Sequence, residues 1–196
     1  MKKSTIIWIV VVAALLFLCG TGCSKYNTMV DEQTKVEQAW SNVETQYQRR
    51  SDLIPNLVET VKGYSTHESQ TLENVTLARA KATSITLDAQ SLNDSTMARF
   101  TQAQGELQGA LKSLLSVTEA YPDLKANENF NKLQDELAGT ENRIQVARKD
   151  YNAVARDYNA LVRRFPTNLF ASFFGFDVKP YFSVDEGASA APAVKF

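Results

Sequence analysis

The chain has 196 residues, with 21 basic and 22 acidic side chains and a net charge of −1. This balance argues against a nucleic-acid-binding protein, which needs a basic face to neutralise phosphates. His67 is the single histidine, and Cys19 and Cys23 are the two cysteines. These counts exclude most metal constellations and any disulfide framework beyond residue 23. We therefore expect no cofactor, no metal and no small-molecule substrate.

Residues 1–24 form a hydrophobic N-terminal segment in which Lys2 and Lys3 precede the uncharged run Ile6–Cys19. As a helix this run spans about 21 Å, and about 27 Å if it extends to Cys23, against about 30 Å for a bilayer core. Two interpretations remain open, an uncleaved signal anchor or a lipoprotein signal that is cut before Cys23 and lipidated there. In both, Lys2 and Lys3 stay cytoplasmic and the body lies outside the inner membrane, in the periplasm.

The first long helix is predicted at about 27–63. A stripe of residues spaced by three and four runs from Met29 to Tyr64, with Gln33 and Arg50 as polar interruptions. Such spacing keeps one face against a partner helix. Pro55 lies inside this helix, and because the stripe continues in register past it, we expect a kink there and no break.

Two shorter helices are predicted at about 66–90 and 95–121. Ser65 and Glu68 have the spacing of a capping box for the first of them, and Asn93 or Asp94 caps the second. Pro122 is expected to end the second helix. Both helices carry apolar stripes at helical spacing.

The fourth helix is predicted at about 127–165, with an uninterrupted stripe from Phe130 to Phe165. Four amphipathic helices with short links predict an all-α, up-down-up-down bundle behind the N-terminal hydrophobic helix. If the first and fourth stripes align antiparallel, paired residue numbers sum to about 194. Arg50 then falls within one turn of Glu141, so we expect a partly buried ion pair that fixes the register.

The segment after Pro166 is rich in aromatic residues, and two interpretations of it remain open. In an up-down bundle the segment lies beside the anchor, where aromatic side chains partition into the membrane interface. Alternatively, it folds under the bundle and closes its open end. The candidate membrane-contact residues are Phe170, Phe173, Phe174 and Phe176. The predicted bundle domain comprises residues 25–182, and the tail at 183–196 is rich in Ala, Ser, Gly and Pro and predicted to be disordered.

Several motifs of this chain are distinctive: the runs Gln48–Val58 (QRRSDLIPNLV) and Glu119–Asn127 (EAYPDLKAN), together with Thr140-Glu141-Asn142, Tyr151-Asn152, Tyr158-Asn159 and Phe165-Pro166. This set of motifs resembles the signature of the LemA family. The resemblance covers about residues 26–182. It implies a bacterial envelope protein with one N-terminal membrane segment, a long-helix bundle and no established enzymatic activity. The chain differs from the family in one respect. Cys23 lies directly before the first predicted helix and suggests a lipoprotein variant, whereas many relatives look like plain signal-anchored proteins.

The residues themselves predict no chemistry. His67 is expected in the first turn of the second helix, exposed, and no Glu-x-x-His pair marks a metal-bearing bundle. The Asn residues of the Tyr-Asn repeat predict either hydrogen bonds that fix helix register or a polar surface facing a partner. We expect a membrane-tethered scaffold or adaptor with an envelope protein partner. The alternatives are a mechanical envelope-stabilising protein without a dedicated partner and, more remotely, an enzyme.

Overall fold

Helices form all the regular secondary structure of residues 3–64 and 68–183, the part of the chain that the computed structural model describes. Within these residues no β-strand occurs, so the all-α class is confirmed. The α-helices are α1 (Lys3–Lys62), α2 (Ser69–Ser84), α3 (Asp94–Val117), α4 (Pro122–Lys125), α5 (Glu128–Arg163) and α6 (Thr167–Phe174), and a 3₁₀ turn covers Thr118–Ala120. The predicted tail beyond residue 183 and the predicted capping residue Ser65 lie outside the described residues.

Helix α1 is longer than the sequence predicted. It begins at Lys3 instead of near residue 27, so the hydrophobic segment and the first helix of the body form one continuous element. Gly20 and Gly22 lower the helix propensity of this stretch but do not block helical geometry. The helix also continues through Pro55 without a break.

Helices α2 and α3 end earlier than predicted. Helix α2 ends at Ser84 instead of residue 90, because Ile85 is extended and the indole N–H of Trp40 donates to Leu87 O at 3.1 Å. This hydrogen bond attaches the α2–α3 link to α1. Helix α3 begins with a capping box between Asn93 and Thr96. It ends at Val117 instead of residue 121, because the chain tightens into the 3₁₀ turn Thr118–Ala120, and Tyr121, the residue before Pro122, is not helical.

Helices α1 and α5 pack antiparallel along the bundle. The contacts pair Tyr64 with Asn127, Arg50 with Glu141, and Trp40 with Tyr151. In each pair the residue numbers sum to 191, whereas the sequence predicted about 194. The actual register is therefore about one helical turn from the prediction. One consequence is that Phe165, the last residue of the predicted stripe, lies exposed beyond the end of α5, while Val162 is buried.

The core consists of two apolar clusters separated by a polar layer. The cluster nearer the N-terminal segment surrounds Trp40, Tyr151 and Tyr158. The cluster at the opposite end contains residues of α1 to α5, including Leu57, Leu114, Leu124 and Phe130. Arg50 is buried at the level between them, next to Ile54 of the second cluster. Helices α2 and α3 are antiparallel neighbours, joined at the surface by the Lys81–Glu106 ion pair.

Candidate functional site

The buried guanidinium of Arg50 links three helices. Arg50 is 2% exposed, and its Nη1 donates to Glu141 Oε2 on α5 at 3.1 Å. Its Nη2 donates to both the main-chain and side-chain oxygens of Gln104 on α3, and its guanidinium carbon lies 5.0 Å from the ring centre of Tyr47. Gln108 donates to the other oxygen of Glu141. The structure thus brings Arg50 and Glu141 together, in a network that holds α1, α3 and α5 in register.

A second arginine compensates for the proline inside α1. Pro55 has no N–H, so the carbonyl of Ser51 loses its helical hydrogen bond. Arg79 of α2 donates from Nε to Ser51 O at 2.9 Å and satisfies that carbonyl. Reasoning from the sequence missed Arg79, although an arginine on the neighbouring helix is a natural donor for a carbonyl freed by proline. The kink at Pro55 stays a prediction.

Residues 176–183, which we call the strap, run along α5 and are held by the Tyr-Asn repeat. Gly175 reverses the chain after α6 with φ of 76°, a left-handed conformation that favours glycine. Asn159 bonds through its amide to both the N–H and the carbonyl of Lys179, at 2.7 and 2.8 Å. Asn152 does the same to Phe182, with both distances 2.9 Å. In the described structure these asparagines therefore fix the strap, a role that neither sequence interpretation included.

The aromatic residues of the C-terminal region divide into a buried and an exposed group. The ring of Phe182 is buried, stacked on Trp40 with centroids 6.0 Å apart, and Phe170 and Phe176 are partly buried against the same cluster. By contrast, Phe165, Leu169 and Phe173 are 80%, 61% and 81% exposed, and Phe174 is about half exposed. Leu169 and Phe173 lie four residues apart on α6, so they share one face, which we call the α6 apolar face, and Phe165 lies in the turn just before the helix.

Helix α6 packs against α1 where the hydrophobic segment meets the body. The ring of Tyr26 lies 5.0 Å from that of Phe174 and 5.6 Å from that of Phe176. A Cβ atom at Gly22 would lie 3.1 Å from Phe170, so the absence of a side chain there permits this close approach. Three basic residues lie close in sequence to the two contacting segments: Lys25, Arg163 and Arg164. Both arginines are exposed. Helix α6 therefore packs on residues 22–26 through Phe170 and Phe174, while Leu169 and Phe173 of the same helix stay exposed.

Of the remaining residues singled out from the sequence, the structure describes Cys23. Cys23 is exposed on α1 with a free thiol. Among the described residues, no group of three or more His, Cys, Asp and Glu side chains could hold a metal ion. His67 lies outside them. Likewise, no helix in the described residues combines the length and apolar character needed to cross a bilayer.

Comparison with known proteins identifies the family of this helical chain. The sequence profile described as the LemA family matches residues 39–196, most of the chain. The chain belongs to the LemA family. It is 26% identical over 145 residues to Protein LemA of Metamycoplasma hominis, an alignment that covers 74% of this chain and 63% of that protein.

Relatives with another name align over more of the chain. The LemA-family chain is 26% identical over 192 residues to Magnetosome protein MamQ 2 of Paramagnetospirillum magneticum, covering 89% of this chain and 70% of the relative. It is 23% identical over 188 residues to Magnetosome protein MamQ of Magnetospirillum gryphiswaldense, covering 87% and 69%. The chain thus spans a little under two thirds of the LemA relative and somewhat more of the MamQ relatives. None of these names denotes a catalysed reaction.

Proposed function

We propose that this LemA-family chain is a non-catalytic scaffold or adaptor of the cell envelope, tethered to the cytoplasmic membrane with its body outside. The tether rests on the sequence of residues 1–24, where Lys2 and Lys3 precede an uncharged apolar run and favour a cytoplasmic N-terminus. A lipid on Cys23 is the alternative tether, and the exposed thiol is consistent with it. The body is proposed to be the four-helix up-down-up-down bundle, which the antiparallel contacts of α1 with α5 and of α2 with α3 support.

The observation that carries this proposal is the α6 apolar face. Exposed Phe, Leu and basic side chains beside one another are typical of helices that lie in the membrane interface. Helix α6 packs against residues 22–26, next to the segment proposed as the tether, so the tether and this face would meet one bilayer at the same height. A LemA-family body attached at two points would stand upright, with α1 and α5 extending away from the membrane for about 50 Å or more. Such a shape offers long lateral surfaces to an envelope protein partner.

Tryptophan quenching by brominated lipids tests the contact between α6 and the membrane. In the full chain reconstituted into vesicles, Phe173→Trp adds a fluorophore to the α6 apolar face. Leu77→Trp is the matched control, because Leu77 of α2 is comparably exposed at 60%. It lies roughly 40 Å along the bundle from residue 25. The native residues Trp8 and Trp40 contribute the same background fluorescence to both variants.

We expect lipids brominated near the headgroup to quench the fluorescence added by Phe173→Trp and to leave that added by Leu77→Trp unchanged. Unquenched fluorescence from both added tryptophans would contradict the interfacial position of α6. It would instead favour the interpretation in which the aromatic segment only closes the end of the bundle.

A further inference from the structure

A polar cleft of about 710 Å³ lies where the strap, α5 and the α2–α3 link meet. Its floor consists of residues with almost no exposure, including Leu92, Tyr158, Asn159 and Lys179. The volume is within the range of small-molecule sites. The cleft shares no residue with the α6 apolar face, so an inference about it does not rest on the proposed function.

Two buried hydrogen-bond donors of the cleft are not fully used. The hydroxyl of Tyr158 has no hydrogen-bond partner among the residues that the structure describes. The ammonium of Lys179, a residue that is 8% exposed, donates to Ala89 O at 3.2 Å, and no other acceptor is recorded for it in the described chain. Buried donors without acceptors cost free energy, so each needs an explanation. A bound acceptor group would satisfy both.

The fold fixes these donors in place. Asn159, next to Tyr158 on α5, holds the main chain of Lys179 through two hydrogen bonds. The bond from the ammonium to Ala89 O then attaches the strap to the α2–α3 link. Positions set by the fold lower the entropic cost of binding a ligand.

The charges that line the cleft define the ligand. Two cationic residues, Lys179 and Arg163, and two anionic residues, Asp94 and Asp177, line the cleft. Burial, and then the carboxylate of Asp177, raise the pKa of the Tyr158 hydroxyl to about 12. Because both signs of charge line the cleft, a ligand that carries both fits it better than one with negative charge alone.

We propose that this cleft binds a small zwitterion. Its oxyanion accepts hydrogen bonds from Tyr158 and Lys179, and its ammonium lies against Asp94 and Asp177. A free solute and the ethanolamine headgroup of a membrane lipid share this chemistry. If the lipid headgroup binds, it connects the strap to the membrane. If a free solute binds, the occupancy of the cleft follows the concentration of that solute in the envelope.

Thermal unfolding of the full chain in a maltoside detergent tests the site, with O-phosphoethanolamine as the probe. Ethanolamine and inorganic phosphate, at equal concentrations, serve as controls, because each carries only one sign of charge. We expect saturating O-phosphoethanolamine to raise the Tm by about 2–4 °C, as a ligand that binds only the folded state does, and the fragments to raise it less. An equal shift with phosphate alone, or no shift with any probe, would overturn the proposal.

Tyr158→Phe is the decisive variant, because it removes a hydroxyl without a recorded partner and leaves the ring in the core. It should fold with a Tm at or above that of the parent and lose the response to O-phosphoethanolamine. Tyr64→Phe is the control, since Tyr64 lies at the opposite end of the bundle, where its hydroxyl accepts from Asn127. It should keep the response. An undiminished response in Tyr158→Phe would overturn the site.

Nanodiscs distinguish the two sources of the ligand. If the lipid headgroup is the ligand, the parent chain should have a higher Tm in discs containing phosphatidylethanolamine than in discs of phosphatidylglycerol, and Tyr158→Phe should show no such difference. If the ligand is a free solute, the two discs should give equal Tm values, while added O-phosphoethanolamine still shifts the parent. Either result supports the cleft as a zwitterion site, and a parent chain that responds to neither source contradicts it.

Discussion

Arg50 shows how a single buried charge organises this bundle. Its guanidinium lies between the two apolar clusters and reaches α3 and α5 at once. A charge in this position is costly unless it is paired and hydrogen-bonded, so each of its partners contributes to holding the helices in register.

The two members of the Arg50–Glu141 pair differ in exposure, and this difference predicts an asymmetric effect. Glu141→Leu strands the buried guanidinium and should lower the free energy of unfolding by about 3–5 kcal/mol. Arg50→Met should cost less, because water can reach the remaining carboxylate, whose side chain is 27% exposed. Chemical denaturation of both single variants and the double variant measures their coupling.

The exposed pair Lys81–Glu106 is the matched control for this cycle, since it also joins two helices but lies at the surface. Its coupling should be much smaller than that of the buried pair. Strict additivity of Arg50→Met and Glu141→Leu would show that the two residues do not interact in solution.

Because Arg79 bonds to the carbonyl that Pro55 leaves free, we expect the cost in stability of replacing Arg79 to depend on whether Pro55 is present. Arg79→Met leaves the Ser51 carbonyl without a donor and should destabilise the protein by about 1–3 kcal/mol. In a Pro55→Ala background the new N–H can bond to that carbonyl, so Arg79→Met should cost clearly less there. The free energies of unfolding of the four proteins test this, and equal costs in both backgrounds would rule out the compensation.

At the scale of elements, the strap is held to the bundle by a few individual side chains. Its hydrogen bonds to α5 join side chains of that helix to the main chain of the strap, and they include the bond that Tyr151 donates to Pro180 O at 3.0 Å. The strap therefore orders only if α5 presents these groups in the correct register. Phe182 adds an apolar anchor against Trp40.

Asn159→Leu should release the strap while leaving the bundle folded. The substitution removes the partners of both the N–H and the carbonyl of Lys179, each of which costs about 1–3 kcal/mol when buried without a partner. We expect faster amide hydrogen exchange at residues 179–182 and little change in the middle of α1 and α5. Asn142→Leu is the control, because Asn142 is exposed on the same helix. Unchanged exchange at the strap in Asn159→Leu would contradict its role as a clamp.

At the scale of the whole molecule, the periodic stripes made the all-α class and the long first and fourth helices predictable. The antiparallel pairing of α1 with α5 followed from the equal length of the stripes. The register was missed by about one turn, because apolar spacing alone fits several registers, whereas the contacts of Arg50 and Asn127 with their partners select one. The end of α2 was missed because a contact distant in sequence, Trp40 with Leu87, outweighs local helix propensity, whereas α3 tightens into a 3₁₀ turn before Pro122.

The candidate site was only partly predictable. The sequence indicated aromatic residues near the membrane end, but it could not separate the buried Phe182 from the exposed Phe173, since this division depends on how the chain reverses at Gly175. The cleft beside Tyr158 was not predicted at all. It is formed by three segments far apart in sequence, and no local pattern identifies a tyrosine hydroxyl that lacks a partner.

The central claim, a tethered body on the outer side of the cytoplasmic membrane, is tested most directly by paired reporters fused after Phe196. Alkaline phosphatase is active only outside the cytoplasm, and green fluorescent protein exported in unfolded form fluoresces only inside. The account predicts phosphatase activity and no fluorescence in cells that express the two fusions at equal levels. Fluorescence without phosphatase activity would place the body in the cytoplasm and contradict the account.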